Sequence, residues 1–151
     1  MSLRDEKTAY CTYRHRVAFF DTDAMGIVHH SNYIRFFELA RIAWMDQHDR
    51  PYREYVEQGL HFATTHVSVD YLRSAAFDEW IDVDCWVEWV RGASLCMGYE
   101  IRRDALVLVT GTTEHAMVDR TGKPTRIPRE RRLRMRELAN SDPPSVRGGR
   151  R

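Results

Sequence analysis

The sequence predicts an α+β domain in which one antiparallel sheet of about five strands wraps a single long buried helix. Three features point to it. Ten of the thirteen residues from Tyr33 to Met45 are apolar, so a helix there presents a polar stripe on an otherwise apolar cylinder and needs cover on most sides. One alternating segment precedes this helix and four strand-like segments follow it. The connections among those four are short, which favours antiparallel neighbours.

Taken in chain order, Thr12 to Phe19 alternates. Tyr13, His15, Val17 and Phe19 fall on one face, and Thr12, Arg14, Arg16 and Ala18 on the other. Asp21, Asp23 and Gly26 mark a loop running to His29. Ser31 and Asn32 are N-cap residue types, and the helix runs from about Asn32 to His48. Arg35, Glu38 and Arg41 stand at i,i+3 spacing and are expected to pair along its one polar face. Pro51 to Gln58 reads as a short helix, with Pro51 near its first turn and Gly59 ending it. The later strands are expected at Phe62–Leu72, Ile81–Trp89, Ser94–Arg102 and Leu106–Val118. Turns at Phe77-Asp78-Glu79, Arg91-Gly92 and Arg103-Asp104 link them as a meander, and Arg120-Thr121-Gly122-Lys123 ends the run. Pro128 to Leu138 reads as a basic helix. Residues 1–139 thus form one domain, and 140–151, rich in Arg, Gly and Pro, read as a flexible tail.

Composition narrows the function classes. The 151 residues fit one domain. With 23 basic and 22 acidic side chains and a formal net charge of +1, nothing global points to nucleic acid or to a membrane surface. Cys11, Cys85 and Cys96 lack C-x-x-C spacing and read as reduced core residues, in keeping with a cytoplasmic protein. No apolar run approaches the ~20 residues of a spanning helix, so membrane insertion is not expected.

The chemistry gathers in FFDTDAMGIVHHSNYIRFFE, residues 19–38. Asp21 and Asp23 sit just before a helix start, where unpaired N–H groups and the positive end of the macrodipole favour negative charge. A carboxylate that attacks or deprotonates, beside donors that hold a developing oxyanion, is equipment for cleaving an ester-like bond. In a D-x-D turn one acid reacts while the other braces the loop through Asx-type bonds, and Asp21 is assigned the bracing role. Asp21, Asp23, His29 and His30 carry ligand atoms, but their spacing matches no helical H-x-x-x-H or H-E-x-x-H pattern, so no metal site is expected. No G-x-S-x-G elbow supports a serine triad.

DTDAMGIVHHSNYIRFFELAR resembles the signature of the 4-hydroxybenzoyl-CoA thioesterase family, which includes the bacterial Tol–Pal-associated acyl-CoA thioesterases. The shared pattern is D-x-D-x-x-G-x-V-x-H-x-x-Y followed by an acidic residue and an arginine on the helix. Tyr71 to Glu79 is similar to the family's strand end and turn, and Trp89 to Ser94 to its basic turn. The three blocks cover roughly residues 12–130.

The resemblance implies a hotdog fold working as a homodimer or homotetramer, with active sites at the dimer interface. It implies hydrolysis of an acyl-CoA to free acid and CoA, without metal or bound cofactor. Asp23 matches the catalytic carboxylate, as nucleophile or as general base, and the main-chain N–H at His30 matches the oxyanion donor. Gly26, Val28, Tyr33, Arg91 and Ser94 fall on substrate-contacting positions. Arg73, Lys123 and Arg126 are further cations for the CoA phosphates. Aromatic or short aliphatic acyl groups are expected, with Phe62 and Trp44 lining the pocket. The competing readings are a thioesterase for acyl carrier protein and a non-catalytic acyl-CoA-binding protein.

Overall fold

The computed structural model describes residues 3–145. Five strands, β1 (Tyr10–Arg16), β2 (His61–Tyr71), β3 (Trp80–Val90), β4 (Ser94–Arg103) and β5 (Leu106–Val118), form one antiparallel sheet in the order β1-β3-β4-β5-β2. Helices are α1 (Asn32–His48), α2 (Tyr52–Glu57) and α3 (Arg129–Leu138). This is the α+β hotdog arrangement of sheet and central helix. Register shifts at Thr64/His66, Val87/Trp89 and Ile101/Arg102 each break the ladder by a residue. Such bulges bend a strand and sharpen its twist, helping the sheet to curl around a helix.

The core lies between α1 and the sheet. Tyr33, Phe36, Phe37, Ala40, Trp44 and Met45 are buried. Phe37 stacks on Tyr99 of β4 with centroids 4.2 Å apart. A Cβ at Gly111 of β5 would stand 2.8 Å from the Phe37 ring and 2.6 Å from the Ser68 carbonyl, so only glycine admits this approach. All three cysteines are free and buried.

Several sequence expectations are corrected. The first strand ends at Arg16, and Phe19 stands in a 3-10 turn (Phe19–Asp21), 80% exposed. The meander is broken at β2, which pairs with β5 rather than β3. Residues 72–79 therefore cross the end of the sheet instead of making a tight turn. Within one chain α1 is less covered than expected, since Ile34 and Leu39 are exposed. Arg41 turns inward, 3.3 Å from the His115 ring and 4.0 Å from Glu38. Ser31 occupies the N-cap position of α1 but makes no side-chain capping bond.

The expected flexible tail starts as docked chain. The Asn140 and Ser141 N–H groups donate to the Val87 and Glu88 carbonyls, at 2.9 and 2.8 Å. Arg91 Nη2 reaches the Pro144 carbonyl at 2.5 Å. Residues 146–151 lie outside the described residues.

Candidate active site

A tight turn between β1 and α1 sets the carboxylate. The Asp23 N–H donates to the Ile27 carbonyl (2.9 Å) and the Gly26 N–H to the Asp23 carbonyl (3.0 Å). Gly26 takes φ +78°, which a residue with a Cβ rarely adopts. The Met25 N–H donates to Asp23 Oδ1 at 2.8 Å. One carboxylate oxygen is thereby fixed, while Oδ2 has no partner among the described residues. Asp23 is half-buried.

Asp21 is built differently. It is 3% exposed, and its Oδ2 accepts from His15 Nε2 and from the Ala18 N–H, both at 2.8 Å. Its carbonyl accepts from the His29 N–H (2.9 Å) and from Asn32 Nδ2 (2.8 Å). The residue bridges the end of β1 to the start of α1, a bracing geometry. His15 itself packs on Phe36, with ring centroids 4.4 Å apart.

At the tip of α1 several donors are engaged. The His29 and Asn32 N–H groups bond to backbone carbonyls, and the Ser31 N–H bonds to His29 Nδ1. The His30 N–H has no acceptor among the described residues. Its carbonyl accepts from the Tyr71 hydroxyl at 2.9 Å. The His30 ring lies against His29, centroids 4.1 Å apart.

The 72–79 crossover completes the site. The Val28 N–H donates to the Ala75 carbonyl (2.9 Å), and the Ala75 N–H donates to the Tyr33 hydroxyl (3.1 Å). Burial raises the Tyr33 phenol above its usual range, so it remains a neutral acceptor. Between turn, helix tip and crossover lies a cleft of about 240 Å³ bounded by Asp23, Val28, His30 and Tyr33. Tyr71, Arg73 and Ser74 supply its other wall. Arg73 is exposed there and brings a cation to the rim.

Thus four of the seven sequence-predicted site residues meet at one cleft. Gly26 borders a second, adjoining groove instead, together with Phe19 and Phe77. Arg91 and Ser94 stand elsewhere, flanking the β3–β4 turn. The crossover enters β3 at Trp80 and this turn leaves it after Val90, so an eleven-residue strand, roughly 35 Å, separates them from the cleft. Arg91 there lies over the Trp89 ring at 4.5 Å. Lys123 and Arg126 do not line the cleft either; the Arg126 guanidinium sits against Gly92. Trp44 and Phe62 belong to the core, Phe62 packing on Tyr52 and Tyr55. The sequence reading gave no site role to Tyr71 and Ser74. Their signal was present in the Tyr71–Glu79 block, but its place beside the helix tip depends on a strand order that the block does not encode.

Residues 7–136 match the model of the Thioesterase-like superfamily. The chain is 33% identical over 117 residues to the acyl-CoA thioesterase YbgC of Haemophilus influenzae, covering 76% of this chain and 86% of that one. Among solved structures, a hypothetical protein of Aquifex aeolicus superposes with a TM-score of 0.79 at 31% identity, over 83% of this chain and 99% of that one. A DHNA-CoA thioesterase of Staphylococcus aureus superposes with a TM-score of 0.75 at 29% identity, over 78% and 80% of the two chains.

Proposed function

The chain belongs to the thioesterase-like superfamily, and from that membership we propose that it hydrolyses an acyl-CoA with Asp23 as the reacting carboxylate and the His30 amide as oxyanion donor. The observation that carries this reading is the shared cleft: Asp23, with one unengaged carboxylate oxygen, and His30, with a main-chain N–H that has no acceptor among the described residues, border the same space.

The thioester carbonyl placed there meets both groups. Asp23 either attacks the carbonyl carbon, expelling CoA thiolate and leaving a mixed anhydride that water opens, or takes a proton from the attacking water. Either route ends in free acid and CoA thiol. As the carbonyl becomes tetrahedral its oxygen gains negative charge, which the His30 N–H and the positive end of α1 stabilise. One such donor is worth about 3–4 kcal/mol in the transition state. The peptide that carries this donor is held through the His29 carbonyl, which accepts from the Asn32 N–H, while Tyr71 binds the carbonyl of the peptide that follows. Arg73 is placed to meet a CoA phosphate at the rim. The proposed reaction calls for no metal or bound cofactor.

Thiol release from a panel of acyl-CoAs, run on wild type and Asp23→Asn together, tests the assignment. We expect the variant to lose about 10²–10⁴-fold in kcat/KM; equal rates would overturn it.

The working form we read as a homodimer or a dimer of dimers. In support, β2 is an edge strand with most of its residues exposed, and α1 bares Ile34 and Leu39. Unpaired edges and apolar faces of this kind invite a second copy. Sedimentation as a monomer at micromolar concentration would contradict it.

A further inference from the structure

Asp23 is a wall of two cavities of opposite character. On one side lies the cleft already described, with a free amide, two phenols and the Arg73 cation. On the other lies an apolar groove of about 630 Å³ bounded by Phe19, Thr22, Ala24, Gly26 and Phe77. Its two rings meet edge to face with centroids 5.9 Å apart. They are unusually wet for their size, with Phe19 80% and Phe77 52% exposed, and Met25 beside them is 79% exposed. Large apolar groups clustered on a surface mark a place where something apolar binds. The floor is open: Ala24 is small, and a Cβ added at Gly26 would meet nothing within 4 Å.

A thioester held at Asp23 sends two arms away from its carbonyl. One carries amides and phosphates, the other carbon and hydrogen. Polarity sorts them between the two cavities. We propose that the Phe19–Phe77 groove is the acyl subsite and that it takes an extended apolar chain of medium length, longer than the aromatic or short acyl groups expected from sequence. This rests on the acyl-CoA reading above and deepens it. The size of the groove selects the chain: an acetyl group would leave both rings in water, while a chain of six to ten carbons lies across them. Each methylene fully withdrawn from water tightens binding about fourfold.

The test separates this proposal from the catalytic one by using thioethers, which lack the carbonyl and are not hydrolysed. S-ethyl-CoA and S-octyl-CoA are titrated calorimetrically into the full chain. Wild type is expected to bind the octyl compound at least tenfold more tightly. In the double variant Phe19→Ser, Phe77→Ser that ratio is expected to fall below threefold. Ala24→Leu, which fills the floor and leaves both rings, is expected to lower it as well. Equal affinities in wild type, or a ratio undiminished in both variants, overturns the proposal. Light scattering covers the other occupant: a double variant that changes mass but keeps its octyl preference assigns the rings to a second copy, and the proposal falls.

Discussion

At Asp23 one carboxylate oxygen caps the turn that presents it, and the other has no partner among the described residues. The bond from Met25 occupies Oδ1 alone, so in the proposed reaction a single side chain both braces the turn and reacts. In the proposed reaction His30 contributes differently, through its backbone. Replacing its ring leaves the N–H in place, so His30→Ala is expected to lower kcat/KM less than tenfold, against the far larger loss in Asp23→Asn. Stopped thiol-release assays under identical conditions compare the two. The acids, Val28, His30 and Tyr33 were legible because they lie within thirteen residues of one another, on a turn and the helix it feeds. Arg91 and Ser94 lie apart from the cleft within one chain, a separation hidden because a sequence block carries no distance across a sheet. Phe19 illustrates another failure. Alternation places it on the face of Val17, but the strand stops at Arg16 and a 3-10 turn swings the ring outward.

Among the elements, α1 was readable almost to the residue, because apolar density and an Asn32 start agree with the observed span Asn32–His48. The Leu106–Val118 strand was equally clear, bounded by a charged turn and a glycine-containing one. Strand order was hidden. Adjacency in sequence favours β2 beside β3, yet β2 pairs with β5, and nothing in the local pattern of either reveals it. Gly111 marks how tightly helix and sheet then close. Gly111→Ala should destabilise the domain by about 1–3 kcal/mol, since the new methyl meets the Phe37 ring and the Ser68 carbonyl below van der Waals distance. Urea unfolding gives the value, and an unchanged midpoint would contradict the contact.

For the whole molecule, acid stability draws on a buried polar chain that no periodicity announces. His115 is fully buried. Its Nε2 accepts from Thr113 (2.7 Å) and Arg41 (3.3 Å), leaving Nδ1–H for Thr64 at 3.2 Å. Burial, aided by the Arg41 cation, pulls the imidazole down to about 3 from an ordinary 6.5. Below pH 6.5 the unfolded chain takes up a proton that the native ring refuses. The stability tied to this ring is therefore whole above pH 6.5 and drains as pH falls toward 3, by up to about 1.4 kcal/mol per unit. His115→Gln, which does not titrate, should flatten that part of the profile in urea midpoints taken from pH 7 to 4. A variant profile as steep as wild type would remove His115 as the cause.

The eight residues between β2 and β3 touch the Asp23 turn, the helix tip and the mouth of the Phe19–Phe77 groove, while the strands on either side of them are held by their own pairings, β2 with β5 and β3 with β1 and β4. Evolution can therefore retune what this enzyme accepts by lengthening or trimming that single span. Diversity among its cousins should be sought there first, before any survey of the interior.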